Sequence, residues 1–237
     1  MKNNDVIIAL DFPTGEKALG FLDRFGSVRP YVKVGMELFY AEGAPLLRRL
    51  KERGHRIFLD LKLHDIPNTV RRAMSVLSAY EIDMVNLHAA GSRAMMSAAL
   101  EGLTRADGSR PLLLAVTVLT SLSDETVSSE LLIPHSARET VISYASNAAK
   151  AGLDGVVCSP LESDDVHAAC GADFLTVTPG IRFSDGAVGD QSRVTTPAMA
   201  RGSSDYIVVG RPITAADDPA AAYERCRKDF LGEQHDE

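Results

Sequence analysis

The chain has 237 residues, the length of one large domain or two small ones and enough to bury a substantial core. Apolar residues make up 45% and charged residues 24%, an ordinary globular balance that excludes disorder, collagen and a disulfide-stapled miniprotein. A net charge of −7, only 6% aromatic residues and no tryptophan argue against a nucleic-acid binder or a platform for stacking bases. An anionic ligand must then be caught by a local group of cations.

The longest apolar stretches, such as LLLAV at 112–116, fall far short of the roughly 20 residues that cross a bilayer. Asp11 interrupts the first apolar run before any cleavage pattern. The expectation is a cytoplasmic protein that engages neither membrane nor nucleic acid. Cys158, Cys170 and Cys226 are too few and too scattered for a metal cage or a disulfide framework, and are expected to be free thiols.

In chain order, VIIAL (6–10) reads as a strand, and Ala18, Phe21, Leu22 and Phe25 then repeat at i, i+3, i+4, i+7 as one helical stripe. YVKVG (31–35) and RIFLDLK (56–62) follow as strands, and Val70, Ala73, Met74 and Leu77 form a second stripe. Two more strands are DMVNLHA (83–89) and LLLAVTVL (112–119). Ser136 with Glu139 predicts a capping box opening a helix that carries Val141, Tyr144, Ala145 and Ala148. The remaining strands are GVVCS (155–159), FLTVT (174–178) and YIVVG (206–210), while Thr196-Pro197 and Asp218-Pro219 mark helix starts.

Near-continuous apolar strands are those of a parallel sheet covered on both faces. Eight such strands alternating with helices predict a (β/α)₈ TIM barrel, one domain over residues 1–237. The rival, an open doubly wound sheet, lacks its glycine-rich phosphate fingerprints here.

Barrel chemistry gathers at the carboxyl ends of the strands, and those ends carry Asp11, Lys33, Asp60, Lys62, His88, Thr120, Arg182, Gly210 and Arg211. Any one of these charges, taken alone, reads as a solvated strand end. Asp60 and Lys62, however, are two apart on one strand and point to the same face, with Leu59, Leu61 and Leu63 on the other. Charges directed into a barrel mouth cost several kcal/mol each unless they satisfy one another, so function is the better reading. Ile66-Pro67 delays the next helix to about Asn68 and leaves Asp65 on a projecting loop, where a turn or cap role is equally open. IVVGRPIT (207–214) suits a phosphate at Gly210 and Arg211, though Gly210-Arg211-Pro212 also reads as a plain βα turn. The polar, glycine-rich connection from Gly180 to Thr196, which includes Gln191, is expected to act as a mobile lid. None of the six histidines falls in the helical zinc pattern, and no metal is expected.

ALDFP (9–13), VKVGMELF (32–39), FLDLKLHDIPNTV (58–70), VNLHAAG (85–91), LTVTPGIR (175–182) and IVVGRPIT (207–214) together span the chain. In their order and spacing the chain resembles the orotidine 5′-phosphate decarboxylase family in its short bacterial form. The resemblance implies a homodimer that makes UMP and CO₂ with no cofactor or metal. It implies that Asp11 and Lys33 hold the ribose, Asp60 sits beside the substrate carboxylate, and Lys62 protonates C6. Asp65 and Thr69 would reach in from the partner subunit, Thr120 would lie near the base or ribose, and Arg182, Gln191, Gly210 and Arg211 would hold or cover the phosphate.

Loss of CO₂ from C6 leaves an electron pair in the ring plane, out of reach of the π-system, so stabilisation must be electrostatic. An ammonium about 4 Å away contributes on the order of 4 kcal/mol at an effective dielectric near 20. The rest must come partly from remote phosphate binding that closes the site. Two rivals are a metal-dependent sugar-phosphate enzyme on the same barrel and a nucleotide-binding protein without catalysis; the intact D-x-K-x-x-D series at 60–65 argues against the second.

Overall fold

The structure is a computed structural model and describes residues 4–184 and 195–232. Among these, eight parallel strands close into a barrel in chain order: β1 (Asp5–Ala9), β2 (Tyr31–Gly35), β3 (Ile57–Leu63), β4 (Met84–His88), β5 (Leu112–Val116), β6 (Gly155–Val157), β7 (Leu175–Thr178) and β8 (Tyr206–Val209). Closure is made by β1 against β8, with Ile7 opposite Val208 and Ile8 opposite Val209.

The outer ring comprises α1 (Gly15–Asp23), α2 (Met36–Glu42), α3 (Ala44–Glu52), α4 (Pro67–Ser78), α5 (Ser92–Leu103), α6 (Asp124–Ser129), α7 (Ala137–Lys150), α8 (Ser163–Cys170), α9 (Pro197–Ala200), α10 (Arg211–Thr214) and α11 (Pro219–Leu231). Local chemistry sets many of these starts. Ser136 and Glu139 form the expected capping box on α7, and the Thr196 and Asp218 side chains accept N–H bonds at the heads of α9 and α11. α4 opens at Pro67, one residue earlier than expected, because proline at the first helical position lacks only an N–H that the helix would leave unpaired.

Strand alternation divides the core in two. Ile7, Tyr31, Phe58, Met84, Leu114, Val177 and Val208 fill the barrel, while Ile8, Val32, Leu59, Val85, Leu113 and Ile207 pack outward under the helices. The inner filling is apolar over the lower part of the strands and becomes charged at their carboxyl ends, where the site lies. β5 and β6 end at Val116 and Val157, short of the expected 119 and 159. Thr117 bonds across to the Val157 carbonyl at 2.9 Å as the chain turns away, and residues 118–121 then wall the mouth.

Candidate active site

At the mouth, Lys33 of β2 stands between two carboxylates, its Nζ 3.3 Å from Asp11 Oδ1 and 3.4 Å from Asp60 Oδ2. Lys62 Nζ lies 2.6 Å from the other oxygen of Asp60. Gly35 makes room for this group, since a Cβ there would meet the Lys33 ammonium at 3.1 Å. Burial alone would raise the Asp60 carboxyl, but Lys33 and Lys62, with hydrogen bonds from Lys62 and Asn86, outweigh it and hold the group below its ordinary range. Asp60 is therefore an ionised, almost fully enclosed carboxylate with a lysine on each oxygen.

Asp60 and Lys62 meet as expected, by a less regular route than strand alternation. The pairing of β3 with β4 shifts between Leu59 and Leu63, and Lys62 has φ of 52°, a left-handed conformation that is uncommon for a residue with a side chain. Asn86 of β4 closes the gap: its Oδ1 accepts the Lys62 N–H at 2.8 Å and its Nδ2 donates to Asp60 Oδ1 at 2.7 Å. Nothing in the motifs above singles out Asn86. The available signal was an amide in the inward phase of an otherwise apolar strand, between Met84 and His88. The His88 ring lies 5.5 Å from that of His64, and desolvation first, then His64 and Lys62, push its pKa down.

Three cavities meet at Lys33. One of about 250 Å³ is lined by the polar Asp60, Lys62, Asn86 and Thr120 and by the apolar Val116, Val118 and Val157. A second, about 200 Å³, is lined by Asp11, Lys33, Gly35 and Glu37, and a third, about 260 Å³, by Asp11, Gly180, Arg182, Gly210 and Arg211. Asp11, Lys33, Asp60 and Lys62 thus form an ion-pair network bordered by a partly apolar cavity and by an arginine-lined hollow. The arginine-lined hollow suits an anionic group.

Asp65 and Thr69 line none of these three cavities; both are exposed, and Asp65 accepts the Ile66 N–H at 2.7 Å. Gln191, with residues 185–194 of the expected lid, lies outside the described residues. The two ends of that connection are tied together, Arg182 N–H to the Thr195 carbonyl at 3.0 Å and Thr195 N–H to the Gly180 carbonyl at 3.2 Å. Among the described residues, no group of three or more His, Cys, Asp or Glu side chains is placed to hold a metal ion, and no helix is long and apolar enough to cross a membrane.

Residues 4–226 match the family described as orotidine 5′-phosphate decarboxylase / HUMPS. The chain belongs to this family. Within it, an orotidine 5′-phosphate decarboxylase of Geobacillus sp. (strain WCH70) is 52% identical over 236 residues, covering 98% of this chain and 99% of the relative. One from Bacillus pumilus is 55% identical over 228 residues, covering 94% and 97%. The crystal structure of the Lactobacillus acidophilus orotidine 5′-phosphate decarboxylase superposes with a TM-score of 0.85 at 45% identity, over 96% of this chain and 99% of that one. The barrel described above is therefore the family's fold.

Proposed function

We propose that the chain decarboxylates orotidine 5′-phosphate to UMP and CO₂, the last step of UMP biosynthesis, with Lys62 as the proton donor. Membership of the family and the names of its close relatives support the reaction. One geometric observation carries the mechanism: the Lys62 ammonium, 2.6 Å from a buried Asp60 carboxylate, lines a cavity that Val116, Val118 and Val157 also line.

With the pyrimidine in that cavity, the bond from C6 to the carboxylate breaks and its electron pair stays on C6. A proton passes from Lys62 Nζ to C6, leaving a neutral amine to be reprotonated. The apolar wall of Val116, Val118 and Val157 accommodates neutral CO₂ better than a carboxylate. Asp60 fixes the ammonium and, beside the substrate carboxylate, adds a repulsion that ends as CO₂ departs. Asp11 and Lys33 take the ribose hydroxyls, with Thr120 near the base or ribose. Arg182, Gly210 and Arg211 take the phosphate, with Gln191 assigned to the same end. The proposal assigns no cofactor or metal to the reaction and places the enzyme in the cytoplasm as a homodimer. The exposed Asp65 and Thr69 flank an Ile66 side chain that is 67% exposed, which suits a segment completing the partner's site.

The deciding experiment follows loss of substrate absorbance on conversion to UMP, with and without chelator. Full turnover in chelator is expected. Activity that vanishes with the metal and returns on its addition would favour the sugar-phosphate branch of chemistry, in which a divalent cation holds an enediolate.

A further inference from the structure

We infer that Asn86 is a positioning residue for the decarboxylation, holding the backbone of the proton donor and the carboxylate that orients its ammonium in one fixed relation. The inference rests on the reading of Lys62 as donor given above. Its starting point is the mismatch between β3 and β4. Leu59 pairs with Val85 and Leu63 with Leu87, so three residues of β3, at 60–62, stand against the single residue Asn86 on β4. The extra length curls the chain, and Lys62 takes its left-handed φ there.

A bulge of this kind removes a backbone N–H from the ladder, and a buried N–H without an acceptor is costly. Asn86 supplies the acceptor at 2.8 Å from the Lys62 nitrogen. The other branch of the same amide donates at 2.7 Å to Asp60 Oδ1, the oxygen that also receives the Lys62 ammonium at 2.6 Å. The orientation of the amide is not free: a backbone N–H can only donate, and an ionised carboxylate can only accept. Asn86 is itself 1% exposed. A carboxamide carries a donor and an acceptor on adjacent branches, which leucine, aspartate and serine do not offer in that pairing. The triangle of Asn86, Asp60 and the Lys62 backbone thus clamps a strained turn at the point where a proton must be delivered with sub-ångström placement.

Two variants separate positioning from packing. Asn86→Leu keeps the branch point, with bulkier methyl ends, and removes both bonds; Asn86→Asp keeps an acceptor for the Lys62 N–H but sets a second carboxylate against Asp60. The readouts are kcat and KM for orotidine 5′-phosphate, Kd for UMP and the thermal midpoint. For Asn86→Leu, kcat is expected to fall roughly ten- to hundredfold, the cost of losing a hydrogen bond to a charged group. KM and the UMP Kd should shift by less than about threefold. Asn86→Asp should lose more kcat than Asn86→Leu although it is the closer match in shape. Wild-type kcat in Asn86→Leu, equal losses in kcat and UMP affinity, or an aspartate variant more active than the leucine one would each overturn the inference. Should Asn86→Leu fail to fold, Asn86→Ser is measured in its place against the same outcomes. Wild-type protein without turnover would remove the functional reading and this inference together, whereas active wild type with a fully active leucine variant removes this inference alone.

Discussion

At the amino-terminal end of the barrel, the Arg56 guanidinium lies 4.1 Å above the Tyr31 ring and 3.1 Å from Asp5, with Tyr206 edge-on to Tyr31 at 6.2 Å. At the carboxyl end, Lys33 and Lys62 share Asp60, and three cavities open beside them. Both ends place cations against the barrel axis, but they are built to opposite purposes. Below, the Tyr31 ring covers one face of a cation that is otherwise partly open to solvent, and burial holds the Tyr31 and Tyr206 hydroxyls above the usual phenol range. Above, the lysines keep one side free of protein. A charge engaged by its own partners stabilises the fold at best; a charge with one face on a cavity is available to a ligand.

The sharpest way to break this contrast is Lys62→Ala. On the proposed mechanism, losing an ammonium about 4 Å from the reacting carbon removes on the order of 4 kcal/mol, at least about a thousandfold in kcat, before the missing proton donor is counted. UMP binding should survive largely intact, because Lys62 does not line the hollow at Arg182, Gly210 and Arg211. Equal losses in turnover and in UMP affinity, measured by steady-state kinetics and calorimetry, would make Lys62 a binding residue. A related experiment mixes Lys62→Ala with Asp65→Ala protein. If Asp65 acts across the subunit interface, heterodimers regain part of the activity; no recovery after verified subunit exchange would return Asp65 to a local turn role.

The arginine-lined hollow makes the next test. A substrate without phosphate should lose kcat as well as affinity, since binding energy from the remote group orders the charges around the reacting carbon. An effect confined to KM would confine the hollow to anchoring.

Much of this contrast can be read from residue order alone. The eight strands stand out because runs such as VIIAL and YIVVG are buried on both faces and need no polar phase. Lys33, Asp60 and Lys62 stand out because they break such runs near the carboxyl end. The bulge does not stand out: IFLDLKL alternates evenly, and nothing in it marks Lys62 for a left-handed φ. The cause lies across the strand pair, in the count of residues between two register points and in the amide of Asn86 that fills the gap. Asp65 and Thr69 were implied by family resemblance, and within one chain they sit exposed, apart from the cavities. Short-range pattern reports which residues face inward; it is silent on contacts made through a neighbouring strand's irregularity or through a second subunit.

A smaller effect separates the two ends by pH. Desolvation lowers the pKa of both His88, near the mouth, and His55, whose Nδ1 lies 2.9 Å from the Pro30 carbonyl at the opposite end. A histidine with a lowered folded pKa stabilises the fold fully above its unfolded pKa of about 6.5 and loses that contribution as pH falls toward the folded value. Asp60 follows the same sign at lower pH, its contribution lost as pH falls through its depressed folded value. The thermal midpoint should therefore decline on acidification below about pH 6.5, before the carboxylates titrate. Protonated His88 would also add a cation beside Lys62, His64 and Asp60, so His88→Gln should alter the acid limb of kcat. His55→Gln should alter only the thermal midpoint. A kcat limb moved by His55→Gln would blur the distinction between the ends.

The smallest effect on activity is expected from Arg56→Met, which trades the lower cation for an apolar chain of similar reach. The Arg56 side chain is 43% exposed, so its cation–π contact and its pairing with Asp5 are partly screened. The loss is about 1 kcal/mol, a drop of roughly 2–4 °C in thermal midpoint for a domain of this size. With the apolar barrel filling of Phe58, Met84 and Leu114 between it and the mouth, kcat and KM should stay at wild-type values. A substantial fall in kcat at an unchanged midpoint would mean that the lower charges reach the reaction through the barrel, and that its apolar filling does not isolate them.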